Sequence, residues 1–144
     1  MQSPFIMLVD DEVSFVETLV KRLATRNIET ITAFSAEEGL EKLKKNQNLD
    51  VIVLDVKMPG MDGLEMLKEI KSGFFRAEVI MLTGHATIES GITGMKLGAF
   101  DFLTKPCDIE ELVSKVEEAT KKKRAHDSKI EDAERKKLLS KYEP

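Results

Sequence analysis

Acidic residues directly follow two apolar runs that lie far apart in the sequence. Phe5–Val9 leads into Asp10 and Asp11, and Val51–Leu54 leads into Asp55. Carboxylates that lie close together repel each other, so they need a cation or raised pKa values. Oxygen ligands suit Mg²⁺, which takes one or two carboxylates together with phosphate oxygens. If the three aspartates converge, they form a site for a divalent cation and a phosphoryl group.

Two later apolar runs end at groups that could bind an anion. Residues 79–82 lead into Thr83, and Phe102 and Leu103 lead into Thr104, Lys105 and Pro106. The Lys105 ammonium could pair with a carboxylate at rest and with a phosphoryl oxygen afterwards, and the Thr83 hydroxyl could donate to the same anion. Each group alone also has a structural explanation, because threonines at strand ends and lysines before a proline are common surface features.

The acidic residues also have structural explanations of unequal strength. Asp10 and Asp11 could be ordinary acids at a helix start, where the macrodipole favours negative charge. Asp55 is harder to explain in that way, because a charge after the most apolar run costs several kcal/mol if it is buried without a partner. His85 is more easily explained as a bystander in a loop than as a base or a ligand.

The elements that must position these groups alternate along the chain. Apolar runs at residues 5–9, 51–54 and 79–82, a more polar β-branched run at residues 28–34 and a short run at residues 100–103 are separated by segments with apolar residues at helical spacing. Short continuous apolar runs are typical of strands covered on both faces. The alternation predicts an α/β fold, a parallel five-stranded sheet with helices on both faces. In such a sheet the carboxyl ends of the strands share one edge, where open α/β folds build their sites.

Particular residues predict where strands lie and where helices begin. The polar character of residues 28–34 predicts an edge strand, and the apolar Val51–Leu54 run predicts the centre of the sheet. Ser35 followed by Glu38 predicts a capping box at the start of the second helix. Asp108 is a candidate cap for the last helix.

Composition limits the classes of protein that this chain can represent. Its 144 residues are 42% hydrophobic and 33% charged, with a net charge of −4, which indicates a globular domain and no direct nucleic-acid binding. A single cysteine, Cys107, excludes an internal disulfide and favours a reducing compartment. No stretch approaches the ~20 apolar residues of a membrane span. We therefore expect a cytoplasmic protein without membrane contact.

The end of the chain differs in charge from the rest. Residues 120–144 contain nine Lys or Arg and five Asp or Glu, without a glycine. This mixture is typical of a solvated helix. We predict a compact domain over residues 1–120 and a charged, helical C-terminal extension or linker over residues 121–144. The extension is too short to form a DNA-binding domain with its own core.

The order and spacing of these residues resemble the receiver domain of bacterial two-component response regulators, over residues 5–119. The resemblance rests on Asp10-Asp11, Asp55, the KMPGMDG loop at residues 57–63, Thr83-Gly84 and Lys105-Pro106. The run from Thr83 to Pro106 is most similar to regulators that activate alternative-sigma-factor transcription. The resemblance implies a flavodoxin-like (βα)5 doubly wound sheet with strand order 2-1-3-4-5.

The resemblance also implies a role for each candidate residue. Asp55 is similar to the phosphoacceptor that takes a phosphoryl group from a sensor histidine kinase. Mg²⁺ would be held by Asp11, Asp55 and the backbone carbonyl of Lys57, with Asp10 acting mainly through water. Thr83 and Lys105 would bind the phosphoryl oxygens.

A further implication concerns the switch that follows phosphorylation. Phe102 takes the place of the switch aromatic, which turns inward as Thr83 moves and alters the surface around the fourth and fifth helices. Phe102 has no hydroxyl, unlike the tyrosine of many relatives, so a state that needs a hydrogen bond there is excluded. The Lys105–Pro106 bond is usually cis in this family. The implied partners are a sensor histidine kinase and an output domain or protein effector, and a homodimer stays open.

Two other functional classes stay open from the sequence. A Mg²⁺-dependent phosphohydrolase of similar layout would usually need an acid/base carboxylate two residues after its nucleophile, where this chain has Lys57. A pseudo-receiver that only binds a partner would not need the complete set of polar groups at the strand ends. The leading interpretation is a signalling domain that is not an enzyme in the usual sense, although it catalyses its own phosphorylation and dephosphorylation.

Overall fold

Five strands alternate with five helices along the chain. We describe residues 2–84 and 87–142 of a computed structural model. The strands are β1 Phe5–Val9, β2 Glu29–Ala33, β3 Val51–Leu54, β4 Glu78–Thr83 and β5 Asp101–Thr104. The helices are α1 Val13–Ala24, α2 Ala36–Lys45, α3 Gly63–Ser72, α4 Ile88–Lys96 and α5 Ile109–Ser140. The prediction that strands and helices alternate is confirmed.

The strands form one parallel sheet in the order β2-β1-β3-β4-β5. The predicted fold class and strand order are therefore confirmed. Every residue of β3 is buried at the centre of the sheet, whereas β2 lies at an edge and is exposed at Glu29. Polarity and position agree because an edge strand is covered less completely than a central one.

Alternate residues of each strand enter two hydrophobic layers on opposite faces of the sheet. In β1, Met7 and Val9 face the layer that contains α2 and α3, whereas Ile6 and Leu8 face the layer that contains α1 and α5. Both layers need apolar residues, so the strands have continuous apolar runs instead of an alternating pattern. This double cover leaves the ends of the strands as the places where polar groups can gather.

Two predicted helix caps are present, one of them in an altered form. The Ser35 hydroxyl accepts from the Glu38 amide at 3.1 Å, but the Glu38 carboxylate accepts from Phe34 at 2.8 Å instead of from Ser35. The capping box at α2 therefore reaches one residue further back than predicted. Asp108 caps α5 as expected and accepts from the Glu110 amide at 3.2 Å.

Helix α5 continues well past the sheet and is tied to its amino edge by charged side chains. Its 32 residues span about 48 Å at 1.5 Å per residue. Arg124 makes two contacts with the buried Asp50 carboxylate, at 3.1 and 2.9 Å, and Lys123 lies 3.5 Å from it. Asp127 pairs with Lys123 at 2.8 Å and with Arg76 at 3.4 Å. The charged extension is thus anchored as far as residue 127.

None of the helices in the described part of the chain is long and apolar enough to cross a membrane.

Candidate metal and phosphoryl-transfer site

The sheet places Asp10 and Asp55 side by side at its carboxyl edge. The Asp10 amide donates to the carbonyl of Ala33 at 3.1 Å, and the Asp55 amide donates to the carbonyl of Val9 at 3.0 Å. The hydrogen-bond ladder therefore continues one residue past β1 and β3, so both backbones are held rigidly. Rigid placement is what a preorganised site requires.

Three carboxylates converge at this edge. One oxygen each of Asp10, Asp11 and Asp55 lies within 4.8 Å of the others. Asp10 and Asp55 are each 3% exposed, whereas Asp11 is open to solvent. Burial raises the pKa of Asp10, and the charge of Asp55 adds to this rise, although hydrogen bonds from Lys105 and the Glu12 amide oppose it. The Asp10 carboxylate is therefore costly to keep ionised without a cation.

These residues fit a hard divalent cation such as Mg²⁺. The donors are all oxygens, which Mg²⁺ prefers, and the exposed Asp11 leaves a solvent side for the waters that Mg²⁺ retains. The charge balance also favours a cation, since Lys105 contributes one positive charge against the three carboxylates. Lys57 lies on the loop two residues after Asp55 with an exposed side chain, and the role of its carbonyl as a ligand stays a prediction.

Close packing fixes the loop between β3 and α3 against Asp55. A Cβ at Gly63 would lie 1.9 Å from the carbonyl oxygen of Asp55, so no larger residue fits. The Gly63 amide donates to the carbonyl of Val56 at 2.7 Å. Gly60 has a φ of 77°, which favours glycine, and Asp62 caps α3. The glycines of the predicted loop therefore bring α3 directly onto the backbone of the candidate phosphoacceptor.

Lys105 reaches into the carboxylate cluster from the end of β5. Its ammonium lies 2.6 Å from Asp10 Oδ2, 3.3 Å from Glu12 Oε1 and 3.7 Å from Asp55 Oδ2. Burial alone would lower the pKa of Lys105, but the hydrogen bond and charge of Asp10, helped by Asp55, outweigh burial and raise it. The predicted cis bond to Pro106 is present. The lysine is therefore charged and poised beside Asp55.

Two contacts of Lys105 were not predicted from the sequence. Glu12, which contacts the ammonium with its carboxylate, also donates its amide to Asp10 Oδ1 at 2.9 Å. Phe15 places its ring 4.2 Å from the Lys105 ammonium, measured to the ring centre. Only position in the sequence could have indicated these two residues. Glu12 directly follows Asp11, and Phe15 lies in the first turn of α1.

Thr83 and Phe102 lie on neighbouring strands near the same edge. Thr83 ends β4, is fully buried and pairs in register with Thr104 of β5. The Phe102 side chain packs against α4, where a Cβ at Gly94 would lie 3.4 Å, and one at Gly91 3.8 Å, from its ring. A Cβ at either position would make ordinary van der Waals contact with the ring, so α4 lies directly against Phe102. His85 lies outside the described residues.

Comparisons with known proteins agree with this geometry. The family model described as "Response regulator receiver domain" matches residues 6–117. The DNA-binding transcriptional regulator NtrC of Escherichia coli K12 is 39% identical over 119 residues, which cover 83% of this chain and 25% of that protein. The chain therefore spans about a quarter of the length of this relative.

Solved structures give the same result at the level of the fold. A response regulator receiver domain protein from Clostridium thermocellum superposes with a TM-score of 0.80 at 35% identity, covering 85% of this chain and 98% of that one. NtrX from Brucella abortus, solved in complex with ADP, gives a TM-score of 0.79 at 29% identity and covers 91% of this chain and 29% of that one.

Proposed function

The chain belongs to the response regulator receiver domain family, and from this premise we propose that it is a phosphorylation-controlled switch of a two-component system. The observation that carries the proposal is the meeting of Asp55 with two further aspartates and Lys105 at one edge of the sheet. Receiver domains are signalling domains, so one phosphoryl group per chain is expected instead of turnover of a free substrate.

Asp55 is the proposed phosphoacceptor. One of its carboxylate oxygens forms a bond to phosphorus while the bond between phosphorus and a histidine nitrogen of the sensor kinase breaks. The electron pair of the broken bond stays on the imidazole. Asp55 Oδ1 already accepts a hydrogen bond from the Val56 amide at 2.8 Å, so the carboxylate is held in one orientation before the donor arrives. Orientation of this kind is the main contribution that a protein makes to phosphoryl transfer.

The remaining polar groups are proposed to bind the charges around Asp55. Asp11, Asp55 and the Lys57 carbonyl would hold Mg²⁺, with Asp10 acting mainly through water, and the bound ion would supply positive charge that offsets the charge of the transferring group. Lys105 exchanges its contact with a carboxylate for one with a phosphoryl oxygen. The Thr83 hydroxyl donates to another phosphoryl oxygen.

The conformational response is proposed to pass through Phe102 and α4. Phosphorylation replaces the single negative charge of the Asp55 carboxylate with up to about two negative charges on the aspartyl phosphate, next to Thr83 at the end of β4. Phe102 lies on β5 against a helix in which Gly94 is buried while Ile88, Ile92 and Met95 are exposed. A helix with so few buried apolar contacts has low local stability and can shift. The surface around α4 and α5 would therefore change when Asp55 is phosphorylated.

The proposed partners are a sensor histidine kinase and an output domain or protein effector. The first relative is named a DNA-binding transcriptional regulator, so we propose an output in the control of transcription. Residues 1–120 would form the switch and residues 121–144 the extension that connects it to the output. A homodimer, a cytoplasmic location, and no direct contact with nucleic acid or membrane are further predictions.

Intact-mass measurement after incubation with acetyl phosphate and Mg²⁺ tests the proposal. The parent chain should gain the mass of one phosphoryl group, and Asp55→Ala should gain none. Chelation of Mg²⁺ should abolish the gain in the parent chain. A label that survives in Asp55→Ala would contradict the assignment of the acceptor. Repeated turnover of a small phosphate ester would favour a phosphohydrolase, and no label from acetyl phosphate or from a kinase would favour a binding-only receiver.

A further inference from the structure

The ring of Phe15 lies beneath the ammonium group of Lys105. The distance from Nζ to the ring centre is 4.2 Å, inside the ~6 Å within which the negative face of an aromatic ring attracts a cation. The Lys105 side chain is 13% exposed, so this attraction is only partly screened by water. None of the roles proposed above uses Phe15.

This contact differs in chemistry from the other contacts of Lys105. Its ammonium also lies close to carboxylate oxygens of Asp10, Glu12 and Asp55. Asp10 and Asp55 are also the groups that would face the metal ion and the phosphoryl group. An aromatic face is not a ligand for a hard cation, which prefers oxygen. The ring can therefore attract the ammonium while the carboxylates are engaged elsewhere.

The ring of Phe15 is partly buried and packs against the hydrophobic layer of α1 and α5. A cavity of about 10 Å³ next to Asp10 and Asp55 is lined by the ring on one side. A second cavity, of about 60 Å³, lies between the ring, Lys105 and Leu82. The ring therefore borders one cavity next to the carboxylates and another next to the lysine. The ring packs against the core and lies 4.2 Å from the ammonium, so its face can favour one position of the lysine.

We propose that Phe15 is a positioning residue, whose aromatic face holds the Lys105 ammonium within reach of the phosphoryl group on Asp55. The inference rests on the proposed function of Asp55 as the phosphoacceptor. A ring that attracts the ammonium less strongly should leave the lysine less often in the productive position. Phosphorylation should then slow and a phosphoryl mimic should bind more weakly, while the metal ligands keep their geometry.

A series of fluorinated phenylalanines at position 15 of the full chain tests the proposal. Fluorine withdraws electron density from the ring face but changes ring size little, so the electrostatic attraction falls while the packing is kept. The rate of phosphorylation by acetyl phosphate with Mg²⁺ should fall stepwise with the number of fluorines, by about tenfold for the pentafluoro ring. The dissociation constant for beryllofluoride, measured by calorimetry, should rise by a similar factor. Mg²⁺ affinity should not change, because Phe15 is not a metal ligand.

A second pair of a lysine and an aromatic ring in the same chain supplies the matched control. The Lys122 ammonium lies 5.7 Å from the ring centre of Phe100. Phe100 directly precedes β5, so this pair lies towards the amino edge of the sheet, opposite the edge that holds Asp55. The same fluorinated series at Phe100 should leave the phosphorylation rate and the beryllofluoride affinity unchanged. An equal loss at both positions would mean that fluorination acts through packing, and the proposal would be overturned.

The outcomes separate this inference from the proposed function. One outcome is that the parent chain is phosphorylated, Asp55→Ala is not, and fluorination at position 15 changes neither the phosphorylation rate nor the beryllofluoride affinity. The proposed role of Phe15 is then wrong and the receiver function stands. If the parent chain is not phosphorylated by either acetyl phosphate or a kinase, the proposed function fails and the inference fails with it.

Discussion

Strand β3 has a buried aspartate just outside each of its ends, and the two aspartates differ in how far neighbouring positive charges compensate them. At the amino end, Asp50 is surrounded by Arg124, Lys123 and the Phe5 amide, which donates to it at 2.9 Å. At the carboxyl end, Asp55 lies beside two more aspartates and 3.7 Å from Lys105. The same residue type is therefore compensated at one end and left with excess negative charge at the other.

This is the difference expected between a structural charge cluster and the proposed binding site. Around Asp50, hydrogen bonds and opposite charges from α5 replace the water that burial removes, so the cluster is complete without a ligand. Around Asp55, the single charge of Lys105 does not balance the aspartates, so a cation is needed to complete the cluster. Excess charge kept at a cost in stability is typical of a functional site.

The largest expected effect follows from breaking the complete cluster. In Asp50→Ala, Lys123, whose side chain is 8% exposed, would keep only Asp127 of its two carboxylate partners. The Phe5 amide would also lose its acceptor. We expect the free energy of unfolding to fall by about 3 kcal/mol, because removal of one partner strands a buried charge. Urea denaturation of the parent and the variant measures the difference. A loss below about 1 kcal/mol would show that the α5 anchor contributes little.

Metal binding should stabilise only the incomplete end. At a Mg²⁺ concentration tenfold above the dissociation constant, the folded state should gain about 1.4 kcal/mol. Asp11→Asn should reduce this gain, because it removes a carboxylate from the cluster, whereas Asp50→Asn should keep it. Thermal melting over a Mg²⁺ series gives the comparison. An equal loss of the Mg²⁺ effect in both variants would contradict a metal site at the carboxyl edge.

Removal of charge at the incomplete end should make the metal-free protein more stable. Asp55→Asn relieves repulsion among the three carboxylates, and we expect a gain of about 1 kcal/mol without Mg²⁺. Asp50→Asn is the matched variant at the other end of the strand and should lower the stability. Denaturation in the presence of a chelator tests both. A loss of stability in Asp55→Asn would mean that this carboxylate is already compensated.

The smallest expected effect is a pH dependence that belongs to Lys105. The pKa of Lys105 is raised in the folded protein, mainly because contacts with Asp10 outweigh burial. The stabilising contribution of the Lys105 charge is therefore complete below pH 10.5, the ordinary pKa of lysine. It is lost as the pH rises through the raised pKa of the folded protein. In metal-free buffer, the stability difference between the parent and Lys105→Met should shrink above that pH. If the stability difference stays constant up to the highest pH at which the protein is folded, the lysine acts by packing alone.

Much of the fold follows from local patterns in the sequence. The runs around Ile6, Val53 and Ile80 are apolar at every position because both faces of their strands are covered, and the spacing of the intervening apolar residues marks helices. Asp10 and Asp55 could be recognised as partners because parallel strands bring their carboxyl ends to one edge. These features depend on the order of residue types along the chain.

The tertiary structure alone decided which distant side chains meet. Arg124 contacts Asp50 across 74 residues, and Phe15 lies under a lysine 90 positions away. Periodicity shows which face of a helix is buried, but it does not show how the helix is rotated or how far it extends against the sheet. Those two quantities determine that α5 supplies the charges that compensate Asp50 and that α1 supplies a ring beside Lys105. The sequence by itself determined the carboxylate cluster, whereas its surroundings were decided by packing between segments far apart in the chain.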